Sequence, residues 1–196
     1  MLYELAHKIQ EKTPFVWDAV EGLNSALFVL RCGRKLKKVS AILSRHNGEY
    51  IYRQATLDDV DALTHFFACQ KQEDFHFFNP HRFDASTIRK LIKRRSHLFF
   101  VVCDKDGQIV GYYFLRCFFI GRCFLGKIVD YDHRGLGIGS QMCLSAMEVA
   151  NALRIHMYET IAKDNTPSLK CTTNVLSIRV VEELENGYIY IEDFIK

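Results

Sequence analysis

Residues 129–141 read Val-Asp-Tyr-Asp-His-Arg-Gly-Leu-Gly-Ile-Gly-Ser-Gln, and this stretch constrains the chain more than any other. Strand-like runs rich in aromatic and branched residues come before it. An amphipathic helix follows, with Met142, Leu144, Met147 and Val149 among its apolar positions. Between them Gly135, Gly137 and Gly139 recur at every second residue, directly after Arg134. Glycines this dense let several backbone N–H groups turn toward one point at a helix N-terminus, and such a point attracts an anion.

The order of elements around the stretch predicts an α+β fold. Residues 50–55 alternate like a strand. Thr56 then caps a helix whose Val60, Leu63 and Phe67 point inward, with Asp58 and Asp59 favourably placed in its first turn. Residues 70–83 have weak periodicity and an unusual run, Phe77-Phe78-Asn79-Pro80-His81-Arg82-Phe83. A helix carrying Ile88, Leu91 and Ile92 comes next. Residues 98–103 and 108–117 form a hairpin about Asp104-Lys105-Asp106-Gly107, and 122–130 is a third strand. After the glycine helix, which runs to about Leu153, come a strand at 156–162, a short helix at 165–171 and a terminal hairpin turning at Glu185-Asn186-Gly187. The implied sheet is mixed and mostly antiparallel, with helices on its faces.

Residues 1–48 read as a helical extension and 49–196 as the main domain. Thr13-Pro14 is a helix start, a cap followed by proline at the first helical position. Val16, Val20, Leu23, Leu27 and Leu30 share one face, which is therefore expected to pack, and Gly33 is the expected stop. Leu36, Val39 and Leu43 predict a second helix, set among Arg34, Lys35, Lys37, Lys38 and Arg45. Its basic side reads as a solvated face with the apolar seam docked.

A formal charge of +3 gives no reason to invoke nucleic acid. The seven cysteines contain no C-x-x-C pair, so neither a zinc site nor a secreted disulfide framework is expected; reduced thiols in a cytoplasmic protein are. The N-terminal Met-Leu-Tyr-Glu soon meets Lys8, Glu11 and Lys12, which is not a signal peptide. No apolar run approaches the ~18 residues of a membrane span.

Three anion-binding devices use glycines in this way. A Walker loop needs Lys-Ser/Thr after its last glycine, and Ser140-Gln141 does not supply it. A dinucleotide fingerprint needs G-x-G-x-x-G, but counted from Gly135 the third position is Ser140; Glu159 alone imitates its ribose-binding acid. The third device is R-x-x-G-x-G opening a helix after the last strand of a meander, and Arg134, Gly137 and Gly139 fit it.

Here the sequence resembles the GNAT superfamily of acyl-CoA-dependent N-acetyltransferases over roughly residues 50–196. Gly111-Tyr112 with Leu115-Arg116, and Leu125-Gly126 leading into Ile128-Val129, add to the resemblance. It implies that acetyl-CoA is the cosubstrate and a small primary amine the acceptor. It implies that Arg134, Gly135, Leu136, Gly137, Ile138, Gly139 and Ser140 hold the pyrophosphate. Ile128, Val129 and Asp130 would line the pantetheine, with the N–H around Val129 polarising the thioester carbonyl. Asn165 and Ser168 fit the family's N-x-x-S/A element, although helix capping explains them as well. The resemblance calls for no metal and admits a homodimer.

Two family features are missing. The tyrosine that serves as general acid falls on Thr172, and the usual Gly-Phe pair falls on Leu176-Ser177. Candidate bases are Glu159, beside the cofactor gap, and His81, in the aromatic segment that would cover the acceptor; Asp130, His133 and His76 are also candidates, Asp130 and His133 reading better as loop residues near the pyrophosphate. That segment, with the Gly-Tyr…Leu-Arg strand, resembles GNAT enzymes that acetylate amino sugars in surface-glycan pathways. The alternative is a GNAT-fold module that binds CoA for regulation or interaction without catalysis.

Overall fold

Apolar side chains on both faces of three consecutive runs drive them into the middle of a sheet covered on both sides. In a computed structural model, which describes residues 14–196, these runs are β2 (His97–Cys103), β3 (Ile109–Phe118) and β4 (Arg122–Val129). With β1 (Ile51–Gln54), β5 (His156–Ala162), β6 (Leu176–Glu183) and β7 (Tyr188–Ile195) they form one seven-stranded sheet ordered β1-β2-β3-β4-β5-β7-β6. Every neighbouring pair is antiparallel except β4 and β5, so the mixed α+β arrangement expected from sequence is present.

Among the described residues, six helices cover the sheet: α1 (Pro14–Leu36), α2 (Val39–Ser44), α3 (Val60–Cys69), α4 (Ala85–Ile92), α5 (Ile138–Leu153) and α6 (Thr166–Thr173). One face carries α1, α2 and α5, whose Phe28, Leu43, Met142 and Leu153 pack with Phe100 and Leu115 of the sheet. On the other face α3 and α4 place Leu63, Phe67 and Ile88 against Phe99, Tyr112 and Phe114. The extension thus shares a core with the glycine helix. Thr56 opens the approach to α3 with a capping box on a single 3-10 turn, Leu57–Asp59. Asp84 caps α4 by accepting from the Thr87 N–H. No helix among the described residues is long and apolar enough to cross a membrane.

The orientation of α1 corrects the expectation. Val16, Val20, Leu23 and Leu30 face outward, Leu30 at 84% exposure, while Glu21, Asn24, Phe28 and Cys32 are buried. Polar partners at the end of β3 explain the reversal. Asn24 donates to the Cys117 carbonyl at 3.0 Å and accepts from the Phe119 N–H at 3.1 Å, and Glu21 pairs with Arg116. The outward apolar stripe has no such directional partners to set its orientation. Gly33 does not stop the helix, which continues to Leu36, and the proposed cap Thr13 lies outside the described residues. Phe28→Ala is accordingly expected to cost about 3–5 kcal/mol. Leu23→Ser should stay within about 0.5 kcal/mol. Urea denaturation of the two variants checks the assignment, and a larger loss for Leu23→Ser would contradict it.

β4 and β5 pair only from Arg122↔His156 to Phe124↔Tyr158 and then part. The opening leads to the glycine stretch.

Candidate active site

Gly135 and Gly137 adopt left-handed backbone at φ 80° and 81°, and no heavy atom lies within 4 Å of where either Cβ would sit. Gly137 is the N-cap of α5, and the helix's first backbone bond runs from the Gln141 N–H to the Gly137 carbonyl at 3.0 Å. The N–H groups of Ile138, Gly139 and Ser140 therefore have no partner within the helix and point out of its positive end. Gly139 has another purpose. A Cβ there would lie 2.8 Å from Cys171 Sγ, so glycine lets α6 approach α5 closely. Ser140 Oγ fastens the same contact by donating to the Cys171 carbonyl at 3.1 Å. Leu136, at the crest of the loop, is exposed.

The charged residues of the stretch mostly hold the loop in shape. Arg134 donates from Nε to the Val129 carbonyl at 3.2 Å and pairs through Nη2 with Asp74 at 2.8 Å, which ties the loop to the turn after α3. Asp130 accepts from His133 Nδ1 at 2.8 Å and from Gln70 Nε2 at 3.2 Å. Asn165 is the N-cap of α6, its Oδ1 accepting from the Ser168 N–H at 3.2 Å. Phosphate-binding capacity thus rests chiefly on backbone N–H groups.

The opening between β4 and β5 exposes a strand edge. The Asp130 N–H bonds to the Val110 carbonyl of β3 at 2.9 Å. Alternation along the strand turns the backbone groups of Ile128 toward β3 as well, and those of Lys127 and Val129 toward the opening. Ile128 instead contributes its side chain to the core under α3 and α4. The N–H groups of Lys127 and Val129 are thus turned to the open side, while the Val129 carbonyl there already accepts from Arg134 Nε.

Within the opening the chain has buried a polar cluster. Lys127 forms an ion pair with Glu159 and donates to Thr172 Oγ1 at 3.1 Å, and that hydroxyl donates to Glu159 at 3.1 Å. Burial works against the charge of Lys127, but the Cys143 thiol and the Glu159 carboxylate outweigh it and raise its pKa. Asp193 lies in β7 opposite Met157, two residue pairs from Glu159 and so on the same face of the sheet, and is 4% exposed. Neither of its carboxylate oxygens has a hydrogen-bond partner among the described residues. Burial, followed by repulsion from Glu159, pushes its pKa up to about 8.

His81 lies elsewhere. Its Nδ1 donates to the Arg82 carbonyl at 2.9 Å, which leaves Nε2 to accept from the Tyr112 hydroxyl at 3.0 Å. Phe67, Phe83, Phe99 and Phe114 surround the ring. Burial lowers its pKa below the ordinary value of 6.5 and so favours the neutral imidazole. The two candidate bases are therefore in different layers: His81 with α3 and α4, Glu159 with α6. Lys127, Asp193 and the hydroxyl of Tyr112 were not anticipated. Lys127 and Glu159 each interrupt an apolar register on strands that face one another, but their pairing depends on two strands distant in the chain.

A helix opened by left-handed glycines, a strand edge turned away from its neighbour and a sheet that parts at the parallel pair of β4 and β5 together match an acyl-CoA N-acyltransferase fold. Residues 60–174, more than half of the chain, match the Acetyltransferase (GNAT) family, and the chain belongs to that family. An uncharacterised N-acetyltransferase of Methanocaldococcus jannaschii is 26% identical over 152 residues, a match spanning 71% of this chain and 65% of that protein. The fold is also similar to the GNAT domain of S. lividans PAT, with a TM-score of 0.63 and 16% identity over 73% of this chain and 89% of that one. The ribosomal-protein-S5-alanine acetyltransferase of Vibrio fischeri gives a TM-score of 0.64 and 16% identity, covering 76% of this chain and 94% of that one.

Proposed function

We propose that this chain transfers the acetyl group of acetyl-CoA to a primary amine on a small acceptor, and that the acceptor is an amino sugar. The observation that carries the first part is the parting of β4 and β5 beside the α5 cradle. In this reading the N–H groups of Ile138, Gly139 and Ser140 hold the pyrophosphate, with Gly135, Leu136 and Gly137 shaping their approach. Val129 pairs with the pantetheine, and the N–H of Lys127 or Val129 polarises the thioester carbonyl. Asn165 and Ser168 fix the start of α6 on the far side of the arm. The aromatic rings and polar groups around His81 support a polar ring as acceptor.

The attacking amine must lose a proton. His81 suits this role through Tyr112: burial keeps the imidazole neutral, and the Tyr112 hydroxyl can pass its proton to Nε2 as its oxygen takes the proton of the amine. Glu159 is committed to Lys127 and Thr172, and it contributes by keeping Lys127 charged within the opening. With threonine where the family's tyrosine would stand, that ammonium offsets the charge of the departing thiolate.

Thiol release from acetyl-CoA with a panel of amines tests the reading. Acetyl-CoA binding without turnover on any amine would leave a CoA-binding module and refute catalysis. His81→Asn is expected to lower kcat about 100-fold. A base must be deprotonated to act, so activity, corrected for the fraction of acceptor amine that is unprotonated, should hold as pH falls through 6.5 and fail only below it. A pH–rate profile corrected in this way whose acid limb lies above 6.5 would exclude His81.

A further inference from the structure

Cys143 of α5 and Cys171 of α6 bring their Sγ atoms to 4.0 Å across the helix contact that Gly139 permits. The two thiols come from segments 28 residues apart, before and after β5. Cys143 is fully buried, while Cys171 is partly exposed and so gives the pair a route to solvent. Among the described residues the other cysteines lack this combination. Cys117 and Cys123 face each other across β3 and β4, but both are fully buried. Cys69 is exposed, and its Sγ lies 3.5 Å from His65 Nε2 rather than beside a second thiol.

Their surroundings divide the roles. Cys171 Sγ meets the Cys143 thiol and lies 3.9 Å from the Ser140 hydroxyl, which donates toward it. The hydrogen bond from Cys143, with the Lys127 ammonium and Ser140, outweighs burial and the Glu159 carboxylate and brings the Cys171 thiol down to about 7. The thiolate, not the thiol, is the attacking form, so Cys171 is the nucleophile of the pair near neutral pH. The same hydrogen bond, together with burial, pushes the Cys143 thiol up and keeps it protonated until its neighbour has reacted.

We propose that Cys171 is a modification site for hydrogen peroxide, with Cys143 as the resolving thiol that closes a disulfide between α5 and α6. In the first step the Cys171 thiolate attacks one peroxide oxygen; the S–O bond forms, the O–O bond breaks and hydroxide leaves. Cys143 then attacks the sulfur of that sulfenic acid. The S–S bond forms, the S–O bond breaks, and the departing hydroxyl takes the Cys143 proton and leaves as water. Two thiols are oxidised and one peroxide is reduced to two waters. The sulfurs must close from 4.0 Å to the ~2.05 Å of a disulfide, a shift on the scale of one rotamer change of Cys171. The bond ties the helix that starts at the glycine loop to the helix that follows β5, and a thiol reductant releases it. The inference stands on the two thiols and holds whether or not the chain transfers acetyl groups.

The experiment treats the intact protein briefly with hydrogen peroxide, then denatures it without reductant, counts its thiols and maps its peptides by mass. Two of the seven thiols should be lost together, in one cross-linked pair of peptides carrying Cys143 and Cys171, and dithiothreitol should restore both. Cys143→Ser should leave Cys171 as a sulfenic acid that dimedone traps, with roughly fivefold less adduct at Cys171 in the wild type. Cys171→Ser should protect Cys143. Oxidation of the exposed Cys69 while Cys143 and Cys171 both stay reduced overturns the proposal. So does a dimedone adduct at Cys171 that is equal in the wild type and in Cys143→Ser. Mapping of the wild type decides the matter alone, so a variant that fails to fold does not weaken the test.

Discussion

Gly137→Glu is expected to weaken acetyl-CoA binding at least 100-fold while the fold survives. Gly137 stands at φ 81°, and space around its Cβ position is open, so the backbone conformation and the new charge are the obstacles. Holding a non-glycine residue in left-handed backbone costs on the order of 1–2 kcal/mol, which the domain can absorb. The carboxylate then stands where the N–H groups of Ile138, Gly139 and Ser140 converge. It takes the place proposed for the pyrophosphate at the positive end of α5 and repels a phosphate that approaches. Calorimetry with acetyl-CoA, alongside a thermal melt, checks this. Binding retained within threefold would mean that the anion site is elsewhere.

Lys127→Met should be the most destabilising single change in the opening. Removing one partner of a buried ion pair typically costs about 3–5 kcal/mol, because the other charge is left uncompensated. Here Glu159 would remain beside Asp193, whose carboxyl group already lacks partners among the described residues. Replacing both members, as Lys127→Met with Glu159→Leu, should recover most of the loss, since two apolar side chains need no partner. Urea denaturation of the single and double variants measures the difference, and equal losses would refute the pairing.

Asp193 makes wild-type stability depend on pH in a stated direction. Its pKa rises from the ordinary 3.8 to about 8 in the folded protein. Between those values the native state keeps a proton that the unfolded chain has released. The stabilisation is therefore complete below about pH 4 and is lost as pH rises toward 8, by up to about 1.4 kcal/mol per pH unit. Asp193→Asn should flatten that slope, and a slope of opposite sign would remove the assignment.

Periodicity and turn chemistry made most of the fold legible. The alternation of β1, the apolar runs of β2–β4, the capping residue Thr56 and the Glu185-Asn186-Gly187 turn are local signals, and each element formed within a few residues of its expected place. The glycine cradle was legible for the same reason, because left-handed backbone and a helix start are properties of a dozen consecutive residues.

What the chain could not announce are the choices made between distant segments. The apolar stripe of α1 was visible, but whether it packed was decided by Asn24 and Glu21, which found Cys117, Phe119 and Arg116 about 95 residues away. The same holds for Lys127 with Glu159, and for Cys143 with Cys171. Residues 129–141 by themselves determined a strand, an anion cradle and a helix. Only the tertiary structure decided what stands beside them, because helical and strand periods reveal which residues share a face, while the long-range polar partners select the face that is buried.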